Sequence, residues 1–360
     1  MPLCAPALVR TDHYTTIVAL HGPDNSLMFF WNNDGDSTWN PSVIAGAGTT
    51  FAAPAMSRTG DSESTVIAAM GPDHSLNFYW NNDGDPAWHG SVIAGPRTTY
   101  GAPSIWRTNS GSTIVLAQGP GNRLSAYYNY DGDPVWFEFE PLENETTDAP
   151  LKAFSVPTLV GEYIPPEGPG DYSNGAYVIG AAFVGPDNFL NFASGYADQT
   201  EGYGLGDYVS QLGPAYGMPA VQYNSSNSWV LVAVRGLYDS LDYYWAYGWE
   251  ADSPVWNPSV IAGPGSIYSP PSMGRTDHNS TVIAAMGPEN SLVFFWNNDG
   301  DFSWIPSTIA GAHTTYSAPV LGRVKNESTI IAVRGPHNQL LFYWNNDGNP
   351  SWNKSVIATL

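Results

Sequence analysis

The chain has a single cysteine, Cys4, so no internal disulfide can form and a disulfide-stapled fold is excluded. Basic residues are scarce, with 12 Lys and Arg against 33 Asp and Glu, giving a net charge of −21 and a pI near 4.3. Such a surface repels phosphate backbones and anionic lipid, which disfavours nucleic-acid and membrane partners. No apolar run is long enough to span a bilayer as a helix. The residues Met1–Pro6 lack a basic region followed by an apolar stretch. The expectation is therefore a soluble protein without a secretory signal, cytoplasmic or released by a non-classical route. Histidine is sparse and scattered (His13, His21, His74, His89, His278, His313 and His337), with no His-Glu-x-x-His spacing. No catalytic constellation stands out, and neither a metal nor a cofactor is expected. Charged residues make up only 12% of the chain, about half the usual ~25%.

Glycine, proline and aromatics are abundant: 37 Gly, 30 Pro, 14 Trp and 21 Tyr. That composition writes many tight turns and short strands, and so an all-β protein. One anchor, Gly-Pro-x-Asn-x-Leu, recurs in recognisable form at Gly22, Gly71, Gly119, Gly185, Gly236, Gly287 and Gly335. The seven units divide the chain at about 5–52, 53–101, 102–148, 149–217, 218–269, 270–317 and 318–360. They leave no residues over for a second domain. Only the fourth unit is long, its excess falling near Glu162–Ser173, rich in Pro and Gly.

Each unit reads as four short strands. In the second they are Ala53–Arg58, Thr65–Met70, Leu76–Trp80 and Ser91–Ala94. The middle two are apolar on both alternating faces: Leu27, Phe29 and Trp31 on one side, Met28 and Phe30 on the other. A sheet with one wet face would alternate apolar with polar. Strands apolar on both sides belong to a sheet packed between two others, which radially arranged blades supply. The expected fold is a seven-bladed β-propeller of four-stranded antiparallel blades. No Trp-Asp dipeptide, Gly-Gly pair or Ser-x-Asp-x-Gly-x-x-Thr-Trp box marks it as a WD, kelch or sialidase propeller. The strand at which a blade begins is open. If it is the Ser-Val-Ile-Ala strand, the two termini share one blade.

Four series of positions repeat more closely than a blade core requires. The first is the aromatic ending the third strand: Trp31, Trp80, Tyr128, Trp245, Trp296 and Trp344. The second is a later tryptophan: Trp39, Trp88, Trp136, Trp256, Trp304 and Trp352. The third lies in the tract Thr-Thr-Tyr-x-Ala-Pro between units: Phe51, Tyr100, Tyr216, Tyr268 and Tyr316. The fourth is an arginine after the proline: Arg10, Arg58, Arg107, Arg275 and Arg323. Sugars offer C–H faces that stack on aromatics and hydroxyls that pair with planar amide or guanidinium groups. An Arg and an aromatic of one blade, with a Tyr and loop Asn of the next, would form a repeated carbohydrate pocket. The competing reading makes the tryptophans blade-to-blade core and the arginines braces for loop carboxylates. The tract Trp-Asn-Asn-Asp-Gly-Asp resembles the start of a calcium loop only superficially, since its Gly comes early and no Glu follows. Asp-Gly is also a strong hairpin signal.

The stretches Gly-Pro-Asp-Asn-Ser-Leu-x-Phe-Phe-Trp, Trp-Asn-Pro-Ser-Val-Ile-Ala-Gly and Thr-Thr-Tyr-Ser-Ala-Pro resemble the repeats of the Photorhabdus-type seven-bladed propeller lectins. The resemblance covers nearly the whole chain and weakens across residues 138–250. It implies a ring that binds L-fucose and related or O-methylated sugars at several inter-blade sites, without metal, often as a homo-oligomer. Unit four departs most, and Gly236-Leu237-Tyr238-Asp239 alters the fifth anchor, so pockets flanking them are expected to be lost. The candidate ligand-binding residues come from the best-kept units: Arg10, Trp31, Trp39, Arg58, Trp80, Trp88, Tyr100, Arg275, Trp296, Trp304, Tyr316, Arg323, Trp344 and Trp352. Near-identical units suit a multivalent glycan binder better than an enzyme with one asymmetric site. The alternative is a protein-interaction scaffold using the divergent fourth unit.

Overall fold

The computed structural model describes the chain except residues 1–3, 12–13, 35, 59–63, 84, 86, 109–110, 131–134, 140–141, 145–148, 165–175, 199–201, 204, 206–207, 225–227, 249–253, 277–279, 299–300, 302, 325–327, 347–348 and 350. In the first unit the strands Ala7–Arg10, Thr15–His21, Leu27–Asn33 and Asn40–Ala45 pair in that order as an antiparallel sheet. The arrangement recurs to give seven blades. The first strands touch one another in sequence around the ring, and Ala7–Arg10 meets both Ala55–Arg58 and Val320–Val324. The ring is therefore closed, with first strands innermost and fourth strands at the rim. Among the described residues no helix is long and apolar enough to cross a membrane.

The core is not one body but seven clusters, one at each blade junction. This is what the two-faced apolar strands dictate. Ser64–Met70 is buried at every position, and Thr15–His21 at all but its ends. In Leu27–Asn33, Phe30 packs toward the seventh blade while Phe29 meets Trp88 of the second. The rim strands are the exposed edges. Six of them shift register, opposite Leu27, Leu76, Leu190, Leu241, Leu292 or Leu340, and Pro41, Pro258 and Pro306 sit within them. Bulges and edge prolines discourage strand addition from another molecule.

The anchor motif is a backbone device. Its Asn25, Asn122, Asn188, Asn290 and Asn338 all hold positive φ between 57° and 64°, which Asn tolerates better than most residues. The carbonyl of Asn25 then accepts the amides of Thr49 and Thr50, both at 2.8 Å, tying the linker down. His74 and Asn290 do the same for Thr98–Thr99 and Thr314–Thr315. Conservation of the Thr-Thr tract inside the chain follows from this geometry.

The strand phase resolves plainly. Each blade is made of consecutive strands, so the termini do not share one. Closure rests instead on Val18, Leu20 and Phe30 packing against Ile330, Ala332, Phe342 and Ile357. Gly322 leaves the space that Leu8 fills, where a Cβ would collide. Arg334 adds a buried stitch: it is 4% exposed, its Nε donates to the Cys4 carbonyl at 3.2 Å, and its Nη2 donates to that of His21. Met70 and Met286 occupy the equivalent place in other blades. Arg334→Met should therefore cost about 2–3 kcal/mol, the loss of charged hydrogen bonds to buried carbonyls. Urea unfolding would show it as a lowered midpoint, and an unchanged midpoint would mean that apolar packing alone closes the ring.

Candidate functional site

Antiparallel strands give every blade two ends. The loops between strands one and two, and between three and four, lie at one end. The Gly-Pro turn and the inter-blade linker lie at the other. The four repeated series sort onto these two ends.

The arginines and tryptophans are at the loop end. Arg10 donates to Thr16 Oγ1 at 2.7 Å and to the Asp34 carboxylate. Arg58 holds Asp83 with two parallel bonds, at 2.7 and 2.5 Å, and also reaches Thr65. Arg275 and Arg323 bond Thr281 and Thr329 in the same way. Each guanidinium thus crosses from its first strand over the second, and Arg10 and Arg58 go on to the Asp of their own third-to-fourth-strand loop. The repeated threonines are partners that the sequence reading missed. Their own repeat (Thr16, Thr65, Thr113, Thr281, Thr329) was the available signal. Arg107 also donates to Ser64 of the neighbouring blade, at 2.6 Å. Removing the loop partner by Asp83→Asn should cost about 2 kcal/mol, since the guanidinium of Arg58 is largely buried and would lose a charged acceptor. Faster amide exchange confined to that loop would be the accompanying sign.

The leading asparagine of the Asn-Asn-Asp-Gly tract bonds backbone carbonyls four and six residues further on. Asn32 Nδ2 donates to the carbonyls of Asp36 and Thr38, at 3.2 and 2.7 Å. Asn81, Asn297 and Asn345 repeat the pattern. This is turn chemistry.

In every blade but the fourth, the second tryptophan reaches back to the aromatic of the preceding blade's third strand. The pairs are Trp88–Phe29, Trp136–Phe78, Trp256–Phe192, Trp304–Tyr243, Trp352–Phe294 and Trp39–Phe342. All are edge-to-face, with centroids 4.9–5.2 Å apart and interplanar angles of 61–71°. Such a pair contributes roughly 0.5–1.5 kcal/mol beyond area burial. The first tryptophans flank the same clefts: Trp80 and Trp136 pack on one cluster, as do Trp245 with Trp304, Trp296 with Trp352, and Trp344 with Trp39. Trp31 stands at the matching position of the third strand of blade one and is half-buried. Trp80 is further covered by His89, stacked at 5.3 Å. The junction of blades three and four departs from the pattern, since Ala126 replaces the Phe and unit four has no second Trp. There Phe139, Leu142, Leu151 and Leu205 fill the space.

Tyr100 and Tyr316 lie at the other end, in the linkers. A strand of seven residues spans ~20 Å, so no monosaccharide can touch both ends. The pocket joining Arg, Trp, Tyr and loop Asn is therefore not assembled: the structure separates Tyr100 and Tyr316 from the Arg and Trp series. The linker aromatics form a ring of their own. Phe51, Tyr100, Tyr216, Tyr268 and Tyr316 are 37–45% exposed. Phe154, 55% exposed, joins them, although its tract Lys152-Ala153-Phe154-Ser155-Val156-Pro157 disguised it. Backbone hydrogen bonds set these residues in place. The amides of Phe51, Tyr100, Phe154, Tyr268 and Tyr316 donate to Met70, Gln118, Val184, Met286 and Arg334 of the following blade, at 2.7–2.9 Å. Tyr100 also stacks on His74, with centroids 4.6 Å apart. The adjoining turns carry Asp24 and Asp73, whose carboxyls are held below the usual range first by the hydroxyls of Ser26 and Ser75. Each linker therefore presents an accessible ring, and the first two present an ionised acceptor close by.

No protein-family model and no curated protein sequence matches the chain. Among solved structures it resembles the BP39L lectin from Burkholderia pseudomallei, with TM-score 0.81 and 19% identity over 99% of both chains. It also resembles AofleA from Arthrobotrys oligospora (TM-score 0.57, 14% identity, 86% of this chain and 87% of that one). The Aleuria aurantia lectin in complex with α-methyl-L-fucoside is similar at TM-score 0.54 and 11% identity, over 87% of this chain and 96% of that one. At these identities the likeness is one of fold: the chain is built as a seven-bladed propeller.

Proposed function

We propose that the protein is a multivalent lectin, binding carbohydrate at its blade junctions and catalysing no reaction. The observation that carries this reading is the ring of exposed linker aromatics, set by the same backbone bond at one junction after another. A pyranose needs an open aromatic face and nearby acceptors, and the linker end offers both. Tyr100 and Tyr316 are the proposed stacking residues, with Phe51, Phe154, Tyr216 and Tyr268 as their equivalents. Arg10, Arg58, Arg275 and Arg323 brace the loops in this reading, and Trp39, Trp88, Trp304 and Trp352 wedge the blades. Trp31, Trp80, Trp296 and Trp344 flank clefts at the loop end and form the second place where sugar could stack.

L-Fucose is the proposed ligand, because the similar Aleuria aurantia lectin is described with α-methyl-L-fucoside. O-methylated sugars follow from the sequence resemblance. Calorimetry with α-methyl-L-fucoside, beside a glycan array, tests the reading. Several equivalent weak sites per chain are expected. Flat heats together with an array free of hits would end the lectin proposal. The scaffold alternative rests on the insertion in blade four, whose residues 165–175 lie outside the described residues.

A further inference from the structure

At the linker end one backbone bond recurs, from the amide of a linker residue to the carbonyl at the third place of the Gly-Pro-x-Asn turn. Gly48 bonds Asp24, Arg97 bonds Asp73 and His313 bonds Glu289, at 2.7–2.9 Å. Between blades five and six Gly265 bonds Tyr238 in the same way, at 2.7 Å. Here the acidic tip is gone, and Leu237-Tyr238 stands where those turns carry Pro-Asp or Pro-Glu. Leu237 is 42% exposed and Tyr238 79%, the most exposed large hydrophobic among the described residues.

Tyr238 lies beside the linker aromatic of its own junction. The Tyr268 hydroxyl is 3.6 Å from where a Cβ on Gly265 would be, so its ring folds back toward the glycine that bonds Tyr238. Both tyrosines are exposed. Tyr238 also holds φ at 55°, a region in which a bulky side chain is strained, and such strain gathers where a residue serves a ligand. Asp239, the next residue, accepts from Arg235 Nε at 2.8 Å, and both side chains are about a third exposed. Gln118, the counterpart of Arg235 in blade three, reaches forward to the next linker at Ala153. The Arg235–Asp239 pair therefore edges the same junction as Tyr268.

We propose that this junction is an extended site that takes a disaccharide, the terminal sugar stacking on Tyr268 and the second ring on Tyr238, with the Arg235–Asp239 pair meeting hydroxyls at its edge. The inference rests on the lectin reading and names what one of its sites binds. Each pyranose C–H face gains from the aromatic it covers. Two such faces in sequence are what an oligosaccharide offers and a free monosaccharide lacks. The junctions tipped by Asp24, Asp73 and Glu289 carry no second aromatic on the turn and take one sugar.

Fucosyl-α1,6-N-acetylglucosamine, the disaccharide described with the Aleuria aurantia lectin, is the probe, and α-methyl-L-fucoside the control. The protein is labelled with 3-fluorotyrosine, and the resonances lost in Tyr238→Asn and Tyr268→Ala assign these two among the 21 tyrosines. The fucoside should shift Tyr268 alone. The disaccharide should shift both with one half-saturation, and bind there about fivefold more tightly than the fucoside. Asn holds a similar positive φ, 61°, at Asn25 and Asn188, so Tyr238→Asn should fold. It should return the disaccharide to the fucoside's affinity, read on Tyr268, and leave the fucoside unchanged. A Tyr238 resonance that neither sugar moves overturns the extended site and leaves the lectin reading standing. So does a disaccharide that binds Tyr238→Asn as tightly as the parent, or a fucoside that shifts both rings alike. If neither sugar moves any linker tyrosine and the glycan array is free of hits, the lectin reading fails and takes this inference with it.

Discussion

A protein in which Phe51, Tyr100, Phe154, Tyr216, Tyr268 and Tyr316 are all alanine should lose at least about 100-fold in apparent affinity for a densely fucosylated surface. The loss is large because it compounds. Each linker holds one proposed weak site, and a surface engages several at once, so avidity exceeds the single-site constant by roughly 10²–10⁴. Changing Tyr100 alone should behave differently: in solution the stoichiometry falls while the constant of the remaining sites is unchanged. Stability should barely move, because these rings are 37–55% exposed and their anchoring bonds run through backbone amides that alanine retains. Surface plasmon resonance on immobilised fucosylated glycoprotein measures the first effect, and thermal unfolding the second. Undiminished binding by the six-fold variant would move the sugar site to the loop end, onto Trp31, Trp80, Trp296 and Trp344.

The repeat was legible because it is written in residues that backbone geometry demands. Asn at a positive-φ turn, Gly before Pro, and paired threonines bonding one carbonyl all leave marks at fixed spacing. The two-faced strands were legible for a similar reason, since each blade is buried on both sides. The arginine series was visible, but its partner was not: Asp34 lies 24 residues beyond Arg10 in the same unit, and a loop-bracing guanidinium looks like a ligand-binding one until the carboxylate is placed. The split between Tyr and Trp could have been read from parity. A chain that ends strand one at Arg10 also ends strand three at that end, and it must finish strand four at the other, where the linker Tyr begins. The wedge left a fainter trace. The unit without a second Trp directly follows the unit in which Ala126 replaces the third-strand Phe, a paired loss that only contact explains.

That contact sets the second large effect. Trp88→Ala should lower stability by about 3 kcal/mol, the low end for a tryptophan truncation because the ring is only half-buried. The void would open between blades one and two, where the cluster is the leanest of the seven: Ala19, Leu27, Ile67 and Ala69, with Trp88 packed against them. A small cluster has little with which to fill the space, so relaxation should recover only part of the loss. A double-mutant cycle of Phe29→Leu with Trp88→Leu isolates the edge-to-face term, and a coupling of roughly 0.5–1.5 kcal/mol is expected from their 5.1 Å separation. Urea unfolding supplies every number in the cycle. Zero coupling, with stability intact and fucoside binding abolished in Trp88→Ala, would turn the wedge into a ligand contact. Intact binding at lowered stability would fix its role as the piece that holds neighbouring blades at the angle a closed ring of seven requires.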